Sequence, residues 1–137
     1  YALLSRLKTE DQLAGVLGHE IGHVINRHSA EHIAKQELTQ GLIRATDIAT
    51  GDPGMISRFV GNMINMKYGR DDELESDDYG VKYLIDAGYK PEAMIEVMRI
   101  LKEASGGGNQ PEFMSTHPSS DNRIEKLKEV IAKYKKK

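Results

Sequence analysis

The 137-residue sequence contains no cysteine. That absence excludes thiol catalysis, a disulfide framework and thiolate-bound zinc, so any metal must be held by histidine and carboxylate. It also removes redox chemistry as a guide to compartment. An excess of one charge is lacking too: 19 basic and 21 acidic side chains leave a formal charge of -2. Such a balance carries no electrostatic footprint for nucleic acid and argues against a polybasic membrane-surface module. Lys135-Lys136-Lys137 reads as a solvated helix end. No apolar run approaches the roughly 18–20 residues of a membrane span. The sequence starts at Tyr1, not Met, so it is expected to be a piece from which any targeting signal has been cut. Its length suits one domain with one core. The expectation is a single catalytic domain over residues 1–137, cut from a longer protein, with any intramolecular partner domains outside these residues.

What is present is helical nearly throughout, with no convincing strand and no repeat. Thr9-Glu10-Asp11-Gln12 reads as a capping box. Leu13, Val16, Leu17, Ile21, Val24 and Ile25 follow at helical spacing. A second helix is predicted from Ser29 to about Thr50, and a third over 55–67 after the break at Gly51-Asp52-Pro53-Gly54. An acidic helix runs from about Asp71 to Ala87 and closes at Gly88. Another starts at Pro91, with Ala93, Met94, Val97, Met98 and Leu101 as its stripe. The methionines at 55, 63, 66, 94 and 98 read as core filler. A glycine loop over 106–111 leads to Ser115-Thr116-His117-Pro118, and the last helix aligns Ile124, Leu127, Ile131 and Tyr134.

His19-Glu20-Ile21-Gly22-His23 spells HExxH inside the best-supported helix. The i, i+4 spacing puts both imidazoles on one face, so one cation can take both, while Glu20 can polarise water without ligating. The apolar stripe Leu13, Leu17, Ile21 and Val24 predicts the buried face, with Glu20 inside it and the histidines on its flank. Gly15, Gly18 and Gly22 then cover the far side, where close approach of another backbone would explain three glycines in a helix.

A zinc site of this type takes a third protein ligand and leaves its fourth position to water. The metzincin extension needs a glycine at position 26 and a histidine at position 29; Asn26 and Ser29 stand there instead. A later carboxylate remains. In the acidic helix, Asp77 shares the stripe of Leu74, Val81, Leu84 and Ile85, Glu73 lies on its edge one turn earlier, and Glu75 points away. Glu73 is therefore expected on the metal and Asp77 on the free N–H of a ligating imidazole, with Asp78 as competitor for either role.

His28-Ser29-Ala30-Glu31-His32 spells the inverted motif HxxEH. Each of its histidines lies nine residues from its counterpart in HExxH, half a helical turn away, so it cannot share that metal. Both are expected to be packing or surface residues. His117 could stabilise an oxyanion over the metal or cap the open position. Arg123, one turn into the last helix, could pair with an acid near the site.

The chain resembles the HtpX/BepA-like zinc metalloendopeptidases, the wider family of the CAAX prenyl endoproteases. The resemblance rests on Leu13-Ala14-Gly15-Val16-Leu17-Gly18-His19-Glu20-Ile21-Gly22-His23-Val24, Arg27-His28, Glu73-Leu74-Glu75-Ser76-Asp77-Asp78-Tyr79-Gly80, Gly88-Tyr89-Lys90-Pro91, Ser115-Thr116-His117-Pro118 and Arg123-Ile124. It implies a gluzincin with one Zn2+ per chain held by His19, His23 and Glu73, Glu20 as general base and Asp77 behind a ligand. It also implies a bacterial periplasmic or envelope setting. The chain lacks the family's membrane-spanning helices, and it carries Ser76 where alanine is usual. Substrate is expected along a β-edge upstream of the active-site helix, which Tyr1-Ala2-Leu3-Leu4 can supply only in part.

The combined expectation is a mainly α zincin-like catalytic core that hydrolyses peptide bonds of unfolded or envelope polypeptides. The rival is a non-proteolytic, zinc-stapled binding or chaperone-like module, in which His117 would close the site.

Overall fold

Thr9 adopts an extended conformation and its hydroxyl accepts a hydrogen bond from Gln12 N (3.2 Å), which starts the first helix. The expected capping box is only half built. Gln12 does not reach back to Thr9: its Oε1 accepts from Lys8 N (2.8 Å), and its Nε2 donates to Glu96 Oε2 (2.7 Å), pinning this helix to a later one.

The computed structural model describes residues 3–50, 69–106, 113–117 and 122–136. A single 3-10 turn, Leu4–Arg6, precedes α1 (Glu10–Ile25) and α2 (His28–Thr50). Then follow α3 (Arg70–Asp86), α4 (Ala93–Ser105), the one-turn α5 (Phe113–Thr116) and α6 (Asn122–Lys135). The architecture is mainly α, and there is no strand among the described residues. Leu3 and Leu4 belong to the turn and form no edge strand. The predicted helix over 55–67, its three methionines and most of the glycine loop lie outside the described residues.

The face that α1 buries differs from the one its apolar stripe suggests. Leu13, Leu17, Ile21 and Val24 are all exposed, Val24 at 74%. The buried side carries Gln12, Gly15, Gly18, His19, Gly22 and His23. The reason is backbone proximity. A Cβ added at Gly22 would stand 2.9 Å from Ser76 Cα, and one at Gly18 would stand 3.3 Å from Gly80 Cα. Helix α3 therefore lies directly against the α1 backbone, as Gly18 and Gly22 permit. Glu20, expected in the core, sits instead at the edge with its side chain 44% exposed. The exposed leucines line an open groove of about 290 Å3 with Tyr83 and Tyr89.

The core gathers where α3, α4 and α6 meet, with Ala14 and Val16 of α1 packed against it. Val81 and Leu84 meet Met94, Met98 and Leu101 of α4 and Leu127 and Ile131 of α6, all nearly inaccessible. Each buried side chain of this size contributes about 1.5–3 kcal/mol. Met94 wedges between Gly15 and Gly80, its sulfur 3.1 Å from where a Gly80 Cβ would be. Helix α3 ends in a Schellman turn: Gly88 takes φ +82, Tyr89 N bonds Leu84 O (2.8 Å), and Gly88 N bonds Ile85 O (3.1 Å). No helix among the described residues is long and apolar enough to cross a membrane.

Candidate metal centre

Backbone contact between α1 and α3 brings side chains of both helices to one point. His19 and His23, one turn apart, present their Nε2 atoms 3.1 Å from each other. From α3, Glu73 places Oε1 3.0 Å from His23 Nε2 and Oε2 3.4 Å from His19 Nε2. His117, at the end of α5, brings Nδ1 to 2.9 Å from Glu73 Oε1 and 3.3 Å from His19 Nε2. All four residues are buried, and one donor atom from each lies within 4.8 Å of the others. A tetrahedral cation with bonds of ~2.0–2.1 Å separates its donors by about 3.3–3.4 Å. Neighbouring donors lie 2.9–3.4 Å apart when both Glu73 oxygens are counted, close to that spacing. Glu73 Oε2 receives no well-aligned hydrogen bond, although the Arg123 guanidinium NH1 lies 2.8 Å away. A buried carboxylate oxygen with spare acceptor capacity suits a cation.

Behind the donors lies a second set of contacts. His19 Nδ1 lies 2.8 Å from Asp77 Oδ1, so its N–H donates to the carboxylate. Arg123, 1% exposed, donates through Nε to Asp77 Oδ2 (2.8 Å) and through NH2 to Asp77 Oδ1 (2.7 Å). The guanidinium thereby braces both acids of α3. Arg123 and a protonated His19 together balance these two carboxylates, and a divalent cation would take over the part of His19.

The titration behaviour reflects this crowding. Burial by itself lowers the pKa of His19, but hydrogen bonds and charge from Asp77 and Glu73 raise it to about 9. Burial works against the charged forms of Glu73 and Asp77, yet hydrogen bonds from the imidazoles and the charge of Arg123 hold both below the carboxylate range. The Arg123 pKa is raised: burial opposes its charge, and Asp77 and Glu73 outweigh it.

The structure thus brings His19, His23, Glu73 and His117 together, with Asp77 and Arg123 behind them. Glu20 stands at the rim, its Oε1 3.3 Å from His117 Nε2. Asp78 is elsewhere, accepting from the Tyr134 hydroxyl (2.6 Å). His28, expected to be packing or surface, is a buried packing residue and lies against His23, Nδ1 to Nδ1 at 2.9 Å. Spacing within one helix could not reveal this, because the pair straddles a helix break.

A mainly helical body that gathers histidines and a carboxylate across a glycine-lined helix contact has a zincin-like metallopeptidase fold. The profile of peptidase family M48 matches residues 1–131, and the chain belongs to that family. It is 31% identical over 143 residues to "Metalloprotease YcaL" of Escherichia coli, covering 98% of this chain and 55% of that protein. It is 34% identical over 131 residues to "Mitochondrial metalloendopeptidase OMA1" of Schizosaccharomyces pombe, covering 94% and 39%. Against the "Beta-barrel assembly-enhancing protease" of Escherichia coli the identity is 29% over 136 residues, covering 90% and 28%. The chain therefore spans between about a quarter and about half of these relatives' lengths.

Proposed function

We propose that the chain is a single-domain zinc metalloendopeptidase core, with Zn2+ held by His19, His23 and Glu73. The observation that carries this reading is the convergence of three donor side chains from two helices at 3.0–3.4 Å, with a half-exposed glutamate next to His19. Imidazole and carboxylate donors suit zinc among the first-row ions. When bound, zinc supplies Lewis acidity that acidifies water and polarises a carbonyl. Glu20 takes the proton of the attacking water and returns it to the leaving amine. Its position at the rim supports this role better than a buried one, since a general base must meet both water and substrate. Asp77, braced by Arg123, holds the His19 ring in the tautomer that leaves Nε2 free. The substrate is a polypeptide, and an unfolded or envelope-associated one fits a setting in the bacterial periplasm or envelope. The name of one relative, a protease that enhances β-barrel assembly, supports that setting.

His117 favours a second reading. Its Nδ1 lies among the donors, as a fourth ligand would. If that arrangement is permanent, the site is a closed zinc staple in a binding module. Zinc content and casein hydrolysis, measured for wild type and Glu20→Gln, separate the readings. The peptidase gives stoichiometric zinc in both proteins and cleavage only in wild type. Equal cleavage by both removes Glu20 as the base, and zinc binding without cleavage by either supports the staple.

A further inference from the structure

His23 turns Nε2 towards Glu73 and His19, which leaves its Nδ1 facing away from the donor group. There it meets Nδ1 of His28 at 2.9 Å. His28 is 4% exposed, and its other nitrogen, Nε2, lies 3.1 Å from Glu75 Oε2 and 3.8 Å from Asp72 Oδ1. The Ser76 hydroxyl is a further neighbour, 3.4 Å from His28 Nδ1.

Two ring nitrogens at this distance share one proton. When the His23 Nε2 lone pair is given to a cation, the proton of the neutral ring sits on Nδ1. His28 Nδ1 must then accept, so the proton of His28 sits on Nε2, where it points at the Glu75 carboxylate. No nitrogen in the chain is left with a conflicting role. The arrangement parallels His19, whose Nδ1 donates to Asp77.

The backbone is shaped to make this contact. Arg27 has φ 58, in the left-handed region that a non-glycine residue enters only at a cost. Arg27 N bonds Val24 O (3.1 Å), and its carbonyl already accepts from Glu31 N (2.9 Å). The chain therefore reverses within one residue and starts α2 at His28. That reversal returns His28 against His23, five positions earlier.

We infer that His28 is a positioning residue that fixes the tautomer and ring orientation of His23 through a His23–His28–Glu75 relay. The inference rests on the reading of His23 as a metal ligand. It assigns a role to the first histidine of the inverted motif that needs no second metal.

The test measures Zn2+ affinity of the full protein chain by competition with a chromophoric chelator, alongside histidine tautomers by two-dimensional 1H–15N NMR of the zinc-loaded wild type. His28→Phe keeps bulk but offers no acceptor, and it is expected to weaken zinc binding about 10- to 100-fold. His28→Asn keeps an oxygen near the position of Nδ1 and is expected to recover most of that loss. Glu75→Gln is expected to cost less than tenfold. The spectra of the wild type are expected to show the proton on Nδ1 of His23 and on Nε2 of His28. A folded His28→Phe that binds zinc within twofold of wild type overturns the proposal, as does an Asn variant no better than Phe. If neither variant folds, the wild-type spectra decide: a proton on Nδ1 of His28 overturns it. A wild type that binds no zinc removes the metal reading itself, whereas normal wild-type binding with unaffected variants removes only the role of His28.

Discussion

Gly22 and Ser76 are in backbone contact: a methyl group on Gly22 would lie 2.9 Å from Ser76 Cα and 3.0 Å from its carbonyl oxygen. This contact sets the distance between the helix that carries His19 and His23 and the helix that carries Glu73. Gly22→Ala gains about 1 kcal/mol of helix propensity, but the overlap is with backbone, which cannot rotate away. Overpacking of this kind costs about 1–3 kcal/mol, so net destabilisation and weakened zinc binding are expected. Gly41 in α2 is the control, because an added Cβ there meets nothing within 4 Å. Gly41→Ala should stabilise by up to about 1 kcal/mol. Urea unfolding of the two variants checks both signs, and a stabilised Gly22→Ala would contradict the contact.

Arg123 bridges the two buried acids Glu73 and Asp77, and its charge is permanent where that of His19 depends on pH. Arg123→Met removes that charge and leaves the two carboxylates with the His19 imidazolium as their remaining close counter-charge. The expected loss is about 3–5 kcal/mol in chelator-treated protein, and less with zinc bound, since the cation restores part of the compensation. Lys128 in the same helix pairs with Glu125 on the surface; Lys128→Met should change stability by no more than about 1 kcal/mol. Denaturant midpoints with and without zinc test this ordering.

Stability should depend on pH in opposite ways for the two metal states. In the metal-free protein the His19 pKa is about 9 against an ordinary 6.5. Its contribution is complete below about 6.5 and disappears as pH rises to 9. Glu73 and Asp77, lowered from 4.5 and 3.8, contribute above those values and lose their contribution as pH falls. A cation needs the unprotonated His19 Nε2 and must displace that proton. The Tm gap between zinc-loaded and chelated protein should therefore widen from pH 6 to pH 9. A gap that stays constant over that range argues against His19 as a ligand.

Removing the metal should loosen the α1–α3 contact as well as the site. Ligand linkage predicts about 2.7 kcal/mol of stabilisation at a free zinc concentration 100 times Kd. Amide hydrogen exchange should rise in α1 and α3 on chelation and stay unchanged at the α4–α6 contact around Leu101 and Leu127, which lies in the apolar core. Uniform exchange across all helices would mean that metal binding acts globally instead.

Much of the centre was legible in the residues themselves because the relevant geometry is local. An i, i+4 spacing on a helix puts His19 and His23 on one face whatever surrounds it, and the phase of Glu73 and Asp77 against Val81 and Leu84 was readable for the same reason. The orientation of α1 was not. Hydrophobic periodicity marks Leu13, Leu17, Ile21 and Val24 as the face to bury, whereas glycine faces have no apolar signal and bury by letting a backbone approach. Only the docking of α3 against Gly18 and Gly22, and of α4 against Gly15, decided that these glycines face inward and that Glu20 stands at the rim. The positions of His28 and His117 also belonged to tertiary structure: one is set by a left-handed residue between two helices, the other by a one-turn helix from the far end of the chain. Composition and spacing thus determined which side chains were available to hold a cation, and chain reversal and helix contact decided which of them meet.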